Sequence, residues 1–388
     1  TADAVRLRAS LAAERRLREL LAGVDPDTVV SRADLARLPV VRKSQLSAIQ
    51  ARSRPFGRIN ATMISRLARV FASPGPVYDP EGARTDYWRL ARAMYAAGFR
   101  SGDIVHNCFS YHLTPAGAMA ETGARALSLP VIPAGDGDID VQLQAIADIR
   151  PTAYAGPPSF LEALLRRGRL SGGDTTSFKR ALTAGEPLAQ PLRSELREEF
   201  GIRAVQCYAT SDLGLIAYET GADAGLVVDE AIIVEIVRPG SGDPVEPGKV
   251  GEVLVTAFNP DYPLIRFATG DLSTILTGQS PCGRTNMRIA ACLGRADECI
   301  NIGGMTIFPS QIDELTRRFA SVQRAQLVVA LDDGHDAMRL LCEVAGDANG
   351  LDVHLAESVS RWADLRPRIE FVAPGTLPSN GKLIDDQR

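Results

Sequence analysis

The chain has no long run of one charge, and no apolar stretch reaches the ~18 residues that a membrane-spanning helix needs. Its 388 residues include only 4 histidines and 6 cysteines. The missing apolar run argues against a membrane span. The opening TADAVRLRASLAAERRLREL lacks the apolar middle of a secretory leader, so a cytoplasmic location is the expectation. A formal net charge of −4 withholds the basic field that nucleic acid or an anionic membrane surface demands, and neither is expected as a partner. Cys108, Cys207, Cys282, Cys292, Cys299 and Cys342 show no CxxC and no paired Cys/His spacing, which predicts buried free thiols and not a disulfide framework or a zinc ribbon. What is present is ordinary in kind, with 45% hydrophobic and 23% charged residues. That composition over this length supports a large core and two domains of unequal size.

Periodicity supplies the architecture. Residues 4–22 read as an amphipathic helix ended by Gly23. From DIVHNCF to AVQCYAT, apolar runs alternate with helical patterns, which means crossover units and a largely parallel sheet. In LAQPLRSELREEF, Leu188, Leu192, Leu196 and Phe200 recur every fourth position and make one helix face. After residue 225 two β-rich runs flank a Gly/Pro-rich turn, an antiparallel piece, and from about residue 297 an αββαβ order suits a small α+β domain. The expected fold is a large N-terminal α/β domain over 1–296, with a β-rich subdomain at 225–296, plus a small mobile α+β domain over 297–388.

Ligands of open parallel sheets bind beyond the carboxyl ends of strands. Four polar, glycine-flanked clusters fall there: TAGEPL, CYATSDLG, IRFATGDL and GRADECINIGGMTIFPSQIDE. Together with SPCGRT, LPSNGKLIDDQR and the early DLARLPVVRKSQL, these resemble the adenylate-forming superfamily, in its phenylacetate–CoA ligase branch. The resemblance runs over roughly residues 25–388.

It implies an enzyme that joins a carboxylate to ATP as acyl-AMP and passes the acyl group to a thiol, with CoA as acceptor. Asp271 would bind the ribose hydroxyls, Arg295 ribose or phosphate, Tyr208 would stack on adenine and Glu186 would line the nucleotide site. Ser211 would bond the α-phosphate and Asp212 would hold Mg2+. Lys382 would neutralise charge developing during adenylation. Asp297 matches a hinge, and Gly303 and Gly304 would let a pantetheine arm pass close to the backbone. Phe109, Tyr111 and His112, with Pro157, are candidates for the acyl pocket of an aryl or compact acid. An acyl-carrier protein or an amine as acceptor stays open, as does the oligomeric state, a dimer included.

Two departures matter. Where the family has a Gly/Ser/Thr loop with a lysine to grip phosphates, this chain reads ASPGPVYDPEG: prolines replace amide donors, and Asp79 stands where the lysine is expected. Such a carboxylate would repel a triphosphate by about 1–4 kcal/mol at ~4 Å. An adenylation-deficient acyl-transfer or acyl-binding protein of ligase ancestry is therefore the rival reading. Thr220, Val227 and Ser280 occupy positions where relatives' zinc ligands are expected, leaving Cys282 alone, so no zinc is expected.

Overall fold

The computed structural model describes residues 24–73, 76–221, 225–302, 305–332, 335–345, 350–362, 365–378 and 382–388. The helix expected over 4–22 lies outside them. Two compact units form: Thr1–Thr269 with Ser273–Cys292, and Gly270–Leu272 with Leu293–Arg388.

In the first unit, α1 (Arg32–Leu35), β1 (Val41–Arg42) and α2 (Lys43–Arg52) precede a hairpin of β2 (Arg69–Ser73) and β3 (Val77–Glu81), and α3 (Leu90–Ala96) follows. Then strands and helices alternate: β4 (Val105–Asn107), α4 (Ala116–Ala126), β5 (Val131–Pro133), α5 (Ile139–Ile149), β6 (Ala153–Gly156), α6 (Pro158–Ser171), β7 (Arg180–Thr183), α7 (Gln190–Glu198) and β8 (Arg203–Thr210). These five strands pair in parallel in the order β5-β4-β6-β7-β8. Beyond β8 the pairing turns antiparallel through β9 (Gly214–Tyr218) and β10 (Leu226–Val228). The sheet continues with β11 (Ile232–Val237), β12 (Val250–Ala257), β13 (Leu264–Leu276) and β14 (Arg288–Ile289), so the β-rich piece extends the same 12-stranded sheet.

Alternation along each strand explains why both faces are apolar. In β6, Ala153 and Ala155 join the cluster formed with α3 and α4, whereas Tyr154 joins the one formed with α5, α6 and α7. Leu188, Leu192, Leu196 and Phe200 all pack in this second cluster, but only Leu192 and Leu196 lie within α7; Leu188 precedes the helix and Phe200 follows it.

The second unit holds the hairpin β15 (Ile300–Ile302) and β16 (Met305–Ile307), then α8 (Pro309–Arg318), β17 (Val322–Asp332), β18 (His335–Val344), α9 (Leu351–Ser360), β19 (Arg368–Val372) and β20 (Ile384–Asp386). Its four-stranded sheet has the order β19-β18-β17-β20. Ile312 and Leu315 of α8, with Leu355 and Val359 of α9, bury against Leu327 and Leu340. The expected αββαβ order is present, and β20 adds a strand parallel to β17. Among the described residues, no helix is long and apolar enough to cross a membrane.

Candidate functional site

The parallel strands end where chemistry is expected. Phe109 follows β4, Ala184 and Gly185 follow β7, and Ala209 to Asp212 close β8 and its turn. Together with Lys43, Ser73, Val77, Leu90 and Met119, these residues line a cavity of about 360 Å³. Its wall is mainly apolar, with Ser73, Thr210, Ser211, Asp212 and Lys43 as a polar group. Such a space suits a compact apolar body ending in one anionic head. Burial pushes the Cys207 thiol in that wall up to about 12, with the charge of Glu219 a lesser cause, so this sulfur stays protonated and is no acyl acceptor.

The turn that carries Ser211 and Asp212 is held from outside. Arg89 donates from Nη2 to the carbonyls of Leu213 and Leu215 at 2.6 and 2.9 Å, and from Nε to Asp229. Gly214 has φ 71°, and a Cβ there would stand 2.7 Å from the carbonyl oxygen of Trp88. Only glycine fits that backbone. The closing glycine of YATSDLG thus serves the turn's shape.

Asp212 is buried, and its Oδ2 lies 2.7 Å from the Lys43 ammonium, which also reaches Ser211 Oγ at 3.4 Å. Lys43, the first residue of α2, was missed in the sequence: a lysine in VVRKSQL carries no local sign of the turn it will meet.

Asp79 requires a correction. It does not sit in a solvent-facing phosphate loop; it lies inside β3, wholly buried, opposite Phe71 in register, with its Oδ2 accepting the Ser73 hydroxyl at 2.9 Å. Burial raises its carboxyl to about 7, and the charge of Asp212 adds to the shift against smaller opposing effects of Ser73 and Lys43. A carboxyl buried inside a strand does not present to solvent the charge behind the expected repulsion of a triphosphate. In the sequence, three residues, Pro74, Gly75 and Pro76, stand between β2 and β3. Two of these are prolines, without N–H donors.

Asp212, the residue expected to hold Mg2+, already has a cationic partner. Oδ2 is taken by an ammonium, while Oδ1 is buried without a hydrogen-bond partner and within electrostatic reach of Asp79. Among the described residues, no three His, Cys, Asp or Glu side chains gather to hold a metal ion. Cys282 is exposed; bonds from Ser280, the Arg284 amide and Thr220 draw its thiol down to about 7.

Of the acyl-pocket candidates, Phe109 lines the cavity, whereas Tyr111, His112 and Pro157 do not. The Tyr111 hydroxyl accepts from Asn107 at 2.7 Å, and its ring covers Gly117, where a Cβ would come within 2.7 Å. His112 lines a neighbouring hollow with Ser73 and Asp136. Pro157 caps α6, and its carbonyl accepts the Tyr154 hydroxyl. Tyr208 is half-buried against the β-rich core, and Glu186 accepts from the Ser159 amide at 2.7 Å.

In the second unit Arg295 joins two acids, donating to Asp271 at 3.0 Å and to both oxygens of Asp297. Asp271 and Arg295 also pair through their backbones. Gly270, φ 82°, makes room for this: a Cβ there would meet Arg295 Nη2 at 2.5 Å. The Lys382 ammonium lies 2.7 Å from Asp385, and Gln326 binds the Lys382 carbonyl. Gly303 and Gly304 lie outside the described residues.

Residues 118–259 match the family model of AMP-binding enzymes. Over 342 residues, spanning 84% of this chain and 76% of the relative, the sequence is 31% identical to the phenylacetate–coenzyme A ligase of Aromatoleum evansii. That of Escherichia coli K12 is 31% identical over 77% of this chain and 70% of its own length. The fold is similar to that of 2-hydroxyisobutyryl-CoA ligase, solved in an open conformation with 2-HIB-AMP and CoA, at a TM-score of 0.85 and 24% identity over 99% of this chain and 90% of that one. With the strand-end motifs and the cavity at their carboxyl ends, these matches place the chain in the adenylate-forming enzymes, within the phenylacetate–CoA ligase-like branch.

Proposed function

We propose that the protein activates an aryl or similarly compact carboxylic acid with ATP as its acyl-adenylate and transfers the acyl group to CoA. The observation that carries this is the cavity at the ends of β4, β7 and β8: apolar walls of acid size, with Lys43, Thr210 and Ser211 beside Asp212 at its polar part. The acid's body packs on Phe109, Leu90 and Met119 while its carboxylate meets the hydroxyls and the ammonium. Asp271 and Arg295 serve ribose and phosphate, with Tyr208 and Glu186 on the base side. Lys382 neutralises the charge that develops on the α-phosphate and carboxylate, and Asp297 works as the hinge of a mobile small unit. Magnesium enters as the nucleotide's own counter-ion.

A second reading, acyl transfer or binding without adenylation, is favoured by the sequence Pro74-Gly75-Pro76 between β2 and β3, whose two prolines offer no amide donors. Pyrophosphate exchange into ATP with a panel of aromatic and short aliphatic acids separates the two. Exchange that depends on the acid supports the ligase. Binding of acyl-CoA without any exchange overturns it in favour of the second reading.

A further inference from the structure

At the polar part of the cavity the Asp212 carboxyl pairs with the Lys43 ammonium, and this pairing decides which cation serves the cavity. The buried Asp79 carboxyl lies behind the lining residue Ser73 and within electrostatic reach of both. Asp212 gives Oδ2 to Lys43 at 2.7 Å, and Asp79 gives Oδ2 to the Ser73 hydroxyl. Each acid keeps its Oδ1 buried and without a hydrogen-bond partner. Around Asp79 stand Asp212 from the turn after β8, Lys43 from α2, Tyr262 from the segment before β13, and Ser73 across the hairpin. Of these, only Lys43 is positive. Two carboxylates in one buried space require compensation. The ammonium pairs with Asp212 and the Ser73 hydroxyl bonds Asp79, so each carboxyl already has one partner from the chain itself.

We propose that Lys43 is the resident cation of this cavity, so that Asp212 holds an ammonium where a divalent metal ion would otherwise bind. The ligand set argues the same way. Magnesium and manganese ions want several hard oxygens at short, regular distances. With the Lys43 ammonium in place, only one oxygen of Asp212 is left over, and it is buried. The Lys43 side chain is 36% exposed and lines the cavity, and an ammonium has three donors, so it keeps one for an incoming carboxylate or phosphate. The identity of that anion rests on the ligase reading; the cation assignment does not.

The test is a manganese(II) titration of the full chain without nucleotide at about neutral pH, followed by electron paramagnetic resonance. The wild type is expected to bind no ion with a dissociation constant below about 1 mM, the weak end of protein carboxylate sites. Lys43→Met and Lys43→Gln are expected to gain a site at least ~10-fold tighter, which Lys43→Met combined with Asp212→Asn loses. Wild-type binding that Asp212→Asn abolishes overturns the proposal. So does the absence of any gain in both folded Lys43 variants. No turnover is measured, so a failure here is distinct from a failure of pyrophosphate exchange.

Discussion

Asp79, in a strand of the β2–β3 hairpin, and Asp212, in the turn after β8, bury their carboxyl groups within electrostatic reach of one another. The pair makes stability pH-dependent in a direction opposite to that of a salt-bridged acid. The Asp79 carboxyl moves from an unfolded value of 3.8 to about 7 in the folded chain. Between those values the folded state holds a proton that the unfolded state has released, so stability falls as pH rises through the window. Asp79→Asn keeps the shape and stays neutral at every pH. Its melting temperature is expected to match the wild type near the lower value and to exceed it above the upper one. A stability difference that does not change with pH would sink the assignment.

Lys43→Ala leaves the Asp212 carboxylate buried without its ammonium. Lys43 is 36% exposed, so the expected loss lies below the ~3–5 kcal/mol seen when a fully buried pair is broken. Urea unfolding of Lys43→Ala, Asp212→Asn and the double variant measures it. Coupling near zero would mean that the pair is not formed in solution.

Gly214→Ala forces a side chain onto a left-handed backbone and a Cβ to within 2.7 Å of the Trp88 carbonyl. A loss of more than ~1 kcal/mol is expected from the conformation alone. Gly102→Ala is the control: φ is 96°, and nothing lies within 4 Å of the added carbon. Equal losses in both would remove the special role of the Trp88 contact.

Ala184→Leu adds bulk to the cavity wall beside Gly185. Differences of a methylene or so in an apolar pocket change discrimination by about 10–200-fold, so kcat/KM for aryl acids should drop by that order while the smallest acids lose less. Uniform loss across acid sizes would place the acyl group elsewhere.

Lys382→Ala should lower pyrophosphate exchange by about 10²–10³-fold, as expected of a charge aimed at the reacting phosphate. Stability should barely change, because the ion pair with Asp385 is exposed. Exchange at the wild-type rate would show that this lysine does not act in adenylation.

Much of the fold was legible in one dimension because it rests on local periodicity. The four-residue recurrence through Leu188, Leu192, Leu196 and Phe200 picks out residues that bury together, with Leu192 and Leu196 on the helix and the other two just beyond its ends. The strand-end motifs likewise located Ser211, Asp212 and Phe109 at the cavity. Tyr111 and Pro157 do not line this cavity, and the sequence alone does not say so, because an aromatic or a proline near a strand end looks the same whether it faces a cavity or a neighbouring turn. Asn107 and Gly117 settle that for Tyr111, and no spacing reveals it.

By itself, the sequence determined the alternation of strands and helices, the polar turns at strand ends and the loss of phosphate-gripping amides, since each depends on residues adjacent in the chain. Only the tertiary structure decided what the charges do. An aspartate written as a loop residue became a buried, protonatable strand residue, and a lysine from the start of a distant helix became the partner of Asp212. Charge and proton affinity depend on which groups share a low-dielectric space, and that is set by packing between segments far apart in sequence.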